Sequence, residues 1–247
     1  MKITIITSVY NKSDTIGKAI ESVISQTYNN IEYIVVDGNS TDGTIDIIKN
    51  FWDRIDKFIS EKDKGIYDAL NKGIKAASGD VIGFLHSDDL FFDEFVIEKI
   101  ANAFNKYNVD GVYGDLIYTY KHNTGKILRY WKSSQYRPDM LKKGWMPPHT
   151  ALFLKKSVYD KFGGFDLDFK ISADYDFMLR ILKDGIKIKY IPETICKMRV
   201  GGESNKSLKN IIRKSNEDLR ALRKNNIGGI VTLFIKNFSK ITQFLKK

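Results

Sequence analysis

Three apolar runs separated by helix-spaced segments constrain this chain most: Ile3-Thr4-Ile5-Ile6-Thr7, Ile31-Glu32-Tyr33-Ile34-Val35-Val36 and Val81-Ile82-Gly83-Phe84-Leu85. Near-continuous apolar runs of this length suit strands buried on both faces of a parallel sheet. Between the first two, Ile16, Ala19, Ile20, Val23 and Ile24 recur at helical spacing. A second helix carries Ile45, Ile47 and Ile48, a short strand covers about Lys57 to Ser60, and a third helix spans roughly Ile66 to Ala77. Such alternation predicts a parallel α/β half over the first 90 residues. Residues 111–154 are richer in Tyr, Trp, Gly and Pro. They predict a mixed half with strand-like Val112-Tyr113 and Leu116-Ile117-Tyr118, and the loop Trp145-Met146-Pro147-Pro148-His149 as a pocket wall. Ser172 is expected to cap a helix from Asp174 to Lys183, with Gly185 as its stop. After Gly201-Gly202, Leu208, Ile211, Ile212, Ser215, Leu219 and Leu222 mark another helix, and Gly228-Gly229 separates it from a last one.

Ligands of open α/β sheets bind outside the carboxyl ends of the strands. The third run hands over there to Asp88-Asp89, two carboxylates able to hold Mg²⁺ or Mn²⁺ on a substrate diphosphate. Alone, the pair reads better as a cap (Asp88) for the segment starting at Leu90 and a solvated neighbour (Asp89), and its surroundings reverse that reading. The first strand ends in Thr7-Ser8-Val9-Tyr10-Asn11 and the second in Asp37-Gly38-Asn39-Ser40-Thr41-Asp42-Gly43. Tyr10 can stack on a nucleobase and Asp37 can accept an imino N–H such as uracil N3 offers, although Asp37 by itself also reads as a turn residue.

These residues resemble glycosyltransferase family 2, specifically its bacterial polysaccharide-building members. The resemblance rests on Ser8-Val9-Tyr10-Asn11, Val36 through Gly43, Lys64-Gly65-Ile66-Tyr67-Asp68-Ala69-Leu70-Asn71-Lys72-Gly73, Ala77-Ser78-Gly79-Asp80 through Ser87-Asp88-Asp89, and Gly163-Gly164-Phe165-Asp166 through Asp174 to Arg180. It covers about residues 3 to 204. It implies a GT-A (Rossmann-like nucleotide-diphospho-sugar transferase) fold with a mixed central sheet, a nucleotide-sugar donor and inversion at the anomeric carbon. By the same resemblance Ser8, Tyr10, Asn11 and Asp37 lie on the nucleotide, Asp88 approaches the ribose or sugar, Asp89 holds Mn²⁺ or Mg²⁺, and Asp174 is the base. Asp68, Asn71, His149 and Arg199 are expected on the donor side, Arg199 from a mobile loop with Gly201-Gly202-Glu203-Ser204. His86 stands where many relatives carry a carboxylate, and Ala173 where many carry Glu. Asp176 therefore competes with Asp174, but it is the better placed to pair with Arg180 at i,i+4.

Composition narrows the setting. A single cysteine, Cys196, rules out an intramolecular disulfide, and no apolar segment reaches 18 residues, so a cytoplasmic protein is expected. The net charge of +10 is concentrated: from Lys206 onward eleven basic residues face only Glu217 and Asp218. A nucleic-acid enzyme would carry its basic groove on the catalytic body, so no nucleic acid is expected, and a basic tail points to an anionic membrane surface. In the last helix Val231, Phe234, Phe238, Ile241 and Leu245 form one stripe, with Lys236, Lys240, Lys246 and Lys247 around it. That stripe suits a bilayer interface or docking on protein; the charge favours the membrane. The expectation is a catalytic domain over 1–205, a basic helical tail over 206–247, and transfer from a UDP-sugar to a glycan or lipid-linked acceptor. A silent sugar-nucleotide-binding scaffold and a nucleotidyltransferase are the alternatives; the latter would be expected to carry a Gly-rich loop after the first strand.

Overall fold

The computed structural model describes residues 1–201 and 208–245. Its first half is the expected alternation: β1 (Ile3–Val9), α1 (Ile16–Ile24), β2 (Ile31–Asp37), α2 (Thr44–Lys49), β3 (Lys57–Ser60), α3 (Ile66–Ala76) and β4 (Val81–Phe84). All four strands are parallel, and every residue of β1 and β4 is buried. Pairing of Val9 with Asp37 and of Ile6 with Phe84 aligns the carboxyl ends of β1, β2 and β4 along one edge.

The second half adds β5 (Leu90–Phe91), α4 (Val96–Lys106), β6 (Gly111–Thr119), β7 (Ile127–Trp131), β8 (Leu152–Lys155), α5 (Lys156–Phe162), α6 (Ala173–Lys183), β9 (Ile188–Arg199), α7 (Leu208–Lys224) and α8 (Ile230–Leu245). The sheet runs β3-β2-β1-β4-β8-β6-β9-β5, with β7 on β6, and β8 is antiparallel to both neighbours, which makes the sheet mixed. Because β8 runs backwards, the turn before it, His149–Ala151, lies at the carboxyl end of β4. β9 runs parallel to β6 and so ends, at Arg199, on the same edge. The tiny β5 pairs with β9 through Leu90–Lys197 and Phe91–Cys196, pinning the Asp88-Asp89 turn against that end. β9 escapes sequence reading because Pro192 and its charged neighbours break the apolar pattern. The register slips between Tyr113–Tyr190 and Asp115–Thr194, which accommodates the proline in an irregularity of the ladder.

Two apolar layers sandwich the sheet. One packs Ile3, Ile5, Tyr33 and Val35 under α1 and α4. The other gathers Ile6, Val36, Phe84, Leu70, Phe177 and Leu179, and it also takes in Ala221 and Leu222 of α7 and Leu233 of α8. The basic C-terminal helices are thus seated on the body and share its core. On α8 the expected stripe residues Val231, Phe234 and Phe238 are exposed, at 68%, 66% and 72%. Lys236 departs from expectation. It is buried, pairs with Asp218 at 2.7 Å and lies over the Tyr175 ring, so it fastens the helix to the protein. The side chains of Lys240, Ile241 and Leu245, with Lys246 and Lys247, lie outside those described.

Candidate active site

One end of the edge is built from the loops after β1 and β2. Tyr10 projects with 59% exposure, free to take a base on its ring. Ser8 is buried and its hydroxyl has no hydrogen-bond partner, leaving an unspent polar atom at the strand end. Asn11 and Asp37 have structural duties instead. Asn11 adopts φ 49°, its Oδ1 accepts Thr41 N–H at 2.9 Å and its own N–H donates to Ser40 Oγ at 2.8 Å, which welds the two loops. Asp37 is fully buried and accepts Asn39 N–H, Ser40 N–H and the Ser60 hydroxyl at 3.0, 3.1 and 2.7 Å. Asp37 is therefore not presented as a free acceptor. Asp63 is the carboxylate beside Tyr10: its Oδ1 accepts Gly65 N–H at 2.8 Å, and a Cβ placed on Gly38 would lie 2.5 Å from its Oδ2 and 3.3 Å from the Tyr10 ring, so glycine is needed where ring and carboxylate converge.

Asp88 and Asp89 are expected to serve the donor together, and their side chains are placed differently. The Asp89 N–H donates to His86 O, closing a turn that points the two carboxylates differently. The Asp89 side chain enters the body, is 2% exposed and accepts Arg199 N–H at 3.1 Å. Burial, reinforced by the neighbouring Asp88 carboxylate, holds its pKa well above the carboxylate range. Asp88 keeps 27% of its side chain exposed and meets Lys12 Nζ at 3.4 Å. It is thus the carboxylate open to the edge. Arg199 corrects a second expectation: it is the buried last residue of β9, donating from its guanidinium to Asp88 O at 2.8 Å, and not part of a loop. The rest of the expected loop, Gly202-Glu203-Ser204, lies outside the described residues.

Asp174 sits in the first turn of α6, half-buried, and its Oδ1 accepts the Tyr67 hydroxyl at 3.0 Å. Burial and then Asp174 push the Tyr67 pKa well above its ordinary value, so the phenol remains a donor. Ser172 occupies the cap position without capping. Asp176 is fully buried and accepts Asn225 Nδ2 at 3.0 Å and Lys224 Nζ at 3.2 Å, and the expected i,i+4 ion pair with Arg180 is present at the longer distance of 3.9 Å. Asp176 therefore ties α7 to α6. The α3 pair expected on the donor side is also committed: Asp68 accepts Lys64 N–H at 2.9 Å, and Asn71 grips the Phe165 N–H and carbonyl, each at 2.8 Å.

His149 stacks on Phe84 and lies beside His86, with ring centroids 5.2 and 5.7 Å apart. His149 Nε2 and His86 Nδ1 are both enclosed without a hydrogen-bond partner, unspent polar atoms between the carboxylates. Burial lowers the His86 pKa against the pull of Asp88 and Asp174. It takes His149 from 6.5 to about 4, with Asp174 opposing and His86 assisting. A histidine whose folded pKa is depressed contributes stability that is complete above its unfolded value and lost as the pH falls toward its folded one. The urea midpoint is accordingly expected to drop between pH 6.5 and about 4, and to drop less in His149→Asn. Identical pH dependence in the two proteins would refute the assignment.

Lys12, Asp63 and Tyr67 were legible as neighbours of the motifs but carried no signal for these contacts. Among the described residues no three His, Cys, Asp or Glu side chains cluster as a metal cage. A cation shared with a substrate diphosphate needs only one or two protein carboxylates, and the open Asp88 fits that requirement.

The family model described as Glycosyl transferase family 2 matches residues 4–162. The chain belongs to glycosyl transferase family 2. Among relatives of this transferase, an uncharacterised glycosyltransferase of Mycobacterium tuberculosis is 35% identical over 186 residues, 72% of this chain and 68% of that protein. The Escherichia coli UDP-Glc:alpha-D-GlcNAc-diphosphoundecaprenol beta-1,3-glucosyltransferase WfaP is 32% identical over 219 residues, 87% of this chain and 84% of WfaP. Staphylococcus aureus TarS 1–349 in complex with UDP-GlcNAc superimposes with a TM-score of 0.73 at 16% identity, covering 91% of this chain and 65% of that one. The mannosyltransferase PcManGT of Pyrobaculum calidifontis, in complex with GDP-Man and Mn2+, gives 0.70 at 18% identity, covering 96% and 69%. A second TarS structure is covered over 40% of its chain. These likenesses establish the GT-A fold.

Proposed function

We propose that this transferase moves a sugar from a UDP-sugar, with inversion, to a hydroxyl of a lipid-linked glycan in cell-surface polysaccharide assembly. One observation carries the reading: the aligned carboxyl ends of β1, β2 and β4 bring Tyr10 and Asp88 to one edge, and Lys12, two residues after Tyr10, meets Asp88 there at 3.4 Å. Tyr10 and Asp63 take the base, and Ser8, His86 and His149 supply unspent polar atoms to the donor. Mn²⁺ or Mg²⁺ held by Asp88 would neutralise charge growing on the departing diphosphate. Asp174 accepts the proton of the acceptor hydroxyl as that oxygen bonds to the anomeric carbon and the bond to the diphosphate breaks. WfaP, whose name gives a UDP-glucose donor and a diphosphoundecaprenol-linked acceptor, supports the substrate classes, and the Mn2+ complex of PcManGT supports the metal.

The test is a panel of nucleotide sugars with Mn²⁺, followed by UDP release from the donor that binds, with a GlcNAc-diphospholipid present. Binding without release would mean a scaffold, and no binding of any UDP-sugar would end the reading.

The same acceptor class gives the outward face of α8 a partner, an anionic bilayer on the cytoplasmic side. No described helix is long and apolar enough to cross a membrane. The exposed Val231, Phe234, Ile235 and Phe238 follow i, i+3, i+4, i+7 spacing, and residues 219–247 hold basic residues but no acidic one. Basic residues near an anionic surface contribute about 1 kcal/mol each. The protein is expected to pellet with anionic vesicles at low salt, and a Phe234→Ser, Phe238→Ser double variant to stay in solution with full turnover of a short soluble acceptor. Pelleting that neither salt nor the double variant reduces would refute this role.

A further inference from the structure

A helix begins with N–H groups that have no partner within it. The start of α6 is supplied from outside its own chain segment. Glu217, 8% exposed on α7, accepts Ile171 N–H at 2.8 Å and Ser172 N–H at 3.0 Å through one oxygen, while its other oxygen receives Arg213 Nε at 3.1 Å. An anion at a helix N-terminus is favoured by the helix dipole, and charge-assisted bonds are the strong ones. The Ser172 hydroxyl, which could have capped the turn itself, reaches toward Lys214 O at 3.4 Å.

The contact continues to the reacting end. The Ile171 carbonyl, on the residue whose N–H Glu217 holds, accepts the Tyr67 hydroxyl at 2.7 Å, and the same hydroxyl lies 3.0 Å from Asp174 Oδ1. Glu217 thus fixes Ile171, and Tyr67, sharing its one proton between the Ile171 carbonyl and Asp174 Oδ1, ties Asp174 to it. Beyond Asp174, Asp176 is tied to Asn225 and Lys224 at the far end of α7. The base therefore stands between two polar attachments to one C-terminal helix.

We infer that Glu217 is a positioning residue for Asp174, and that α7 is part of the catalytic apparatus through it. The inference rests on Asp174 being the base. Misplacing a reacting group by about 1 Å can cost up to ~100-fold in rate, and loss of the Glu217 contacts releases both the first turn of α6 and the carbonyl that aims Tyr67.

The experiment measures UDP release from UDP-glucose with Mn²⁺ and a GlcNAc-diphospholipid, with UDP affinity by calorimetry and amide exchange in parallel. Glu217→Ala and Tyr67→Phe are each expected to lower kcat roughly tenfold or more with KM for the donor and UDP affinity unchanged. Glu217→Gln keeps an acceptor oxygen and should restore most of the rate. The double variant should cost no more than the worse single one, because both act through one relay. Exchange at Ile171 and Ser172 should accelerate in Glu217→Ala while that of β1 holds. Wild-type kcat in folded Glu217→Ala, additive losses in the double variant, or wild-type kcat in Tyr67→Phe would each overturn the inference; the last does so even if Glu217→Ala does not fold. Asp174→Asn separates the two levels. If it is inert while Glu217→Ala is fully active, only the positioning role fails, and if it is active, the assignment of the base itself is wrong.

Discussion

Asp174→Asn is expected to cut sugar transfer by at least about a hundredfold, the lower end for losing a general base, while UDP still binds with its original affinity. The amide keeps the shape and can still receive the Tyr67 hydroxyl bond, so the geometry of α6 should survive. What it lacks is a carboxylate able to take the acceptor proton. Asp176, two residues on, makes the internal control. It is fully buried with Asn225 and Lys224 on its oxygens, so Asp176→Asn should lower stability by about 1–3 kcal/mol, as for other disturbed buried polar contacts, and leave the surviving folded protein active. Urea denaturation and single-turnover rates on both variants decide the matter. An active Asp174→Asn beside a folded, inert Asp176→Asn would transfer the role of base to Asp176.

Asp88→Ala should abolish turnover together with the Mn²⁺-dependent gain in UDP affinity, measured by calorimetry with and without the metal. The expectation follows from exposure: Asp88 is partly exposed with Lys12 Nζ 3.4 Å away, whereas the Asp89 carboxylate is turned inward onto the Arg199 backbone. Asn at position 89 keeps the shape and an acceptor oxygen for the Arg199 N–H, so Asp89→Asn should keep the metal effect. If Asp89→Asn lost that effect and Asp88→Ala kept it, the division of labour would revert to the one the motif alone suggested.

Much of this was visible in the chain and some of it could not have been. The parallel half was legible because β1, β2 and β4 are buried on both faces and their apolar runs are nearly continuous. β9 was not, since it is half-exposed along its length and interrupted by Pro192. The motif segments pointed to one edge of the sheet, where the structure gathers them, yet could not say which way each side chain turns. Asp37, Asn11 and Asn71 are polar residues of the motifs whose hydrogen bonds are spent on backbone. Glu217 had no local signal, because the groups it serves, Ile171 and Ser172, are brought to it only when α7 folds back over α6. The apolar stripe of α8 was read correctly for its outward residues and wrongly for Lys236, since periodicity does not show that a lysine has a buried carboxylate waiting for it.

That lysine gives the last helix a mechanical character. Lys236 spans from Asp218 on α7 to the aromatic face of Tyr175, and Tyr175 is the next residue in the chain after Asp174. Leu233, one turn earlier, shares the core that holds the same region. A force applied to the outer surface of α8 has therefore only a short, stiff path to the start of α6. Cutting the helix off removes the bolt along with the surface, so deletion and surface substitution are different experiments. Only the second leaves the lever in place while changing what pushes on it.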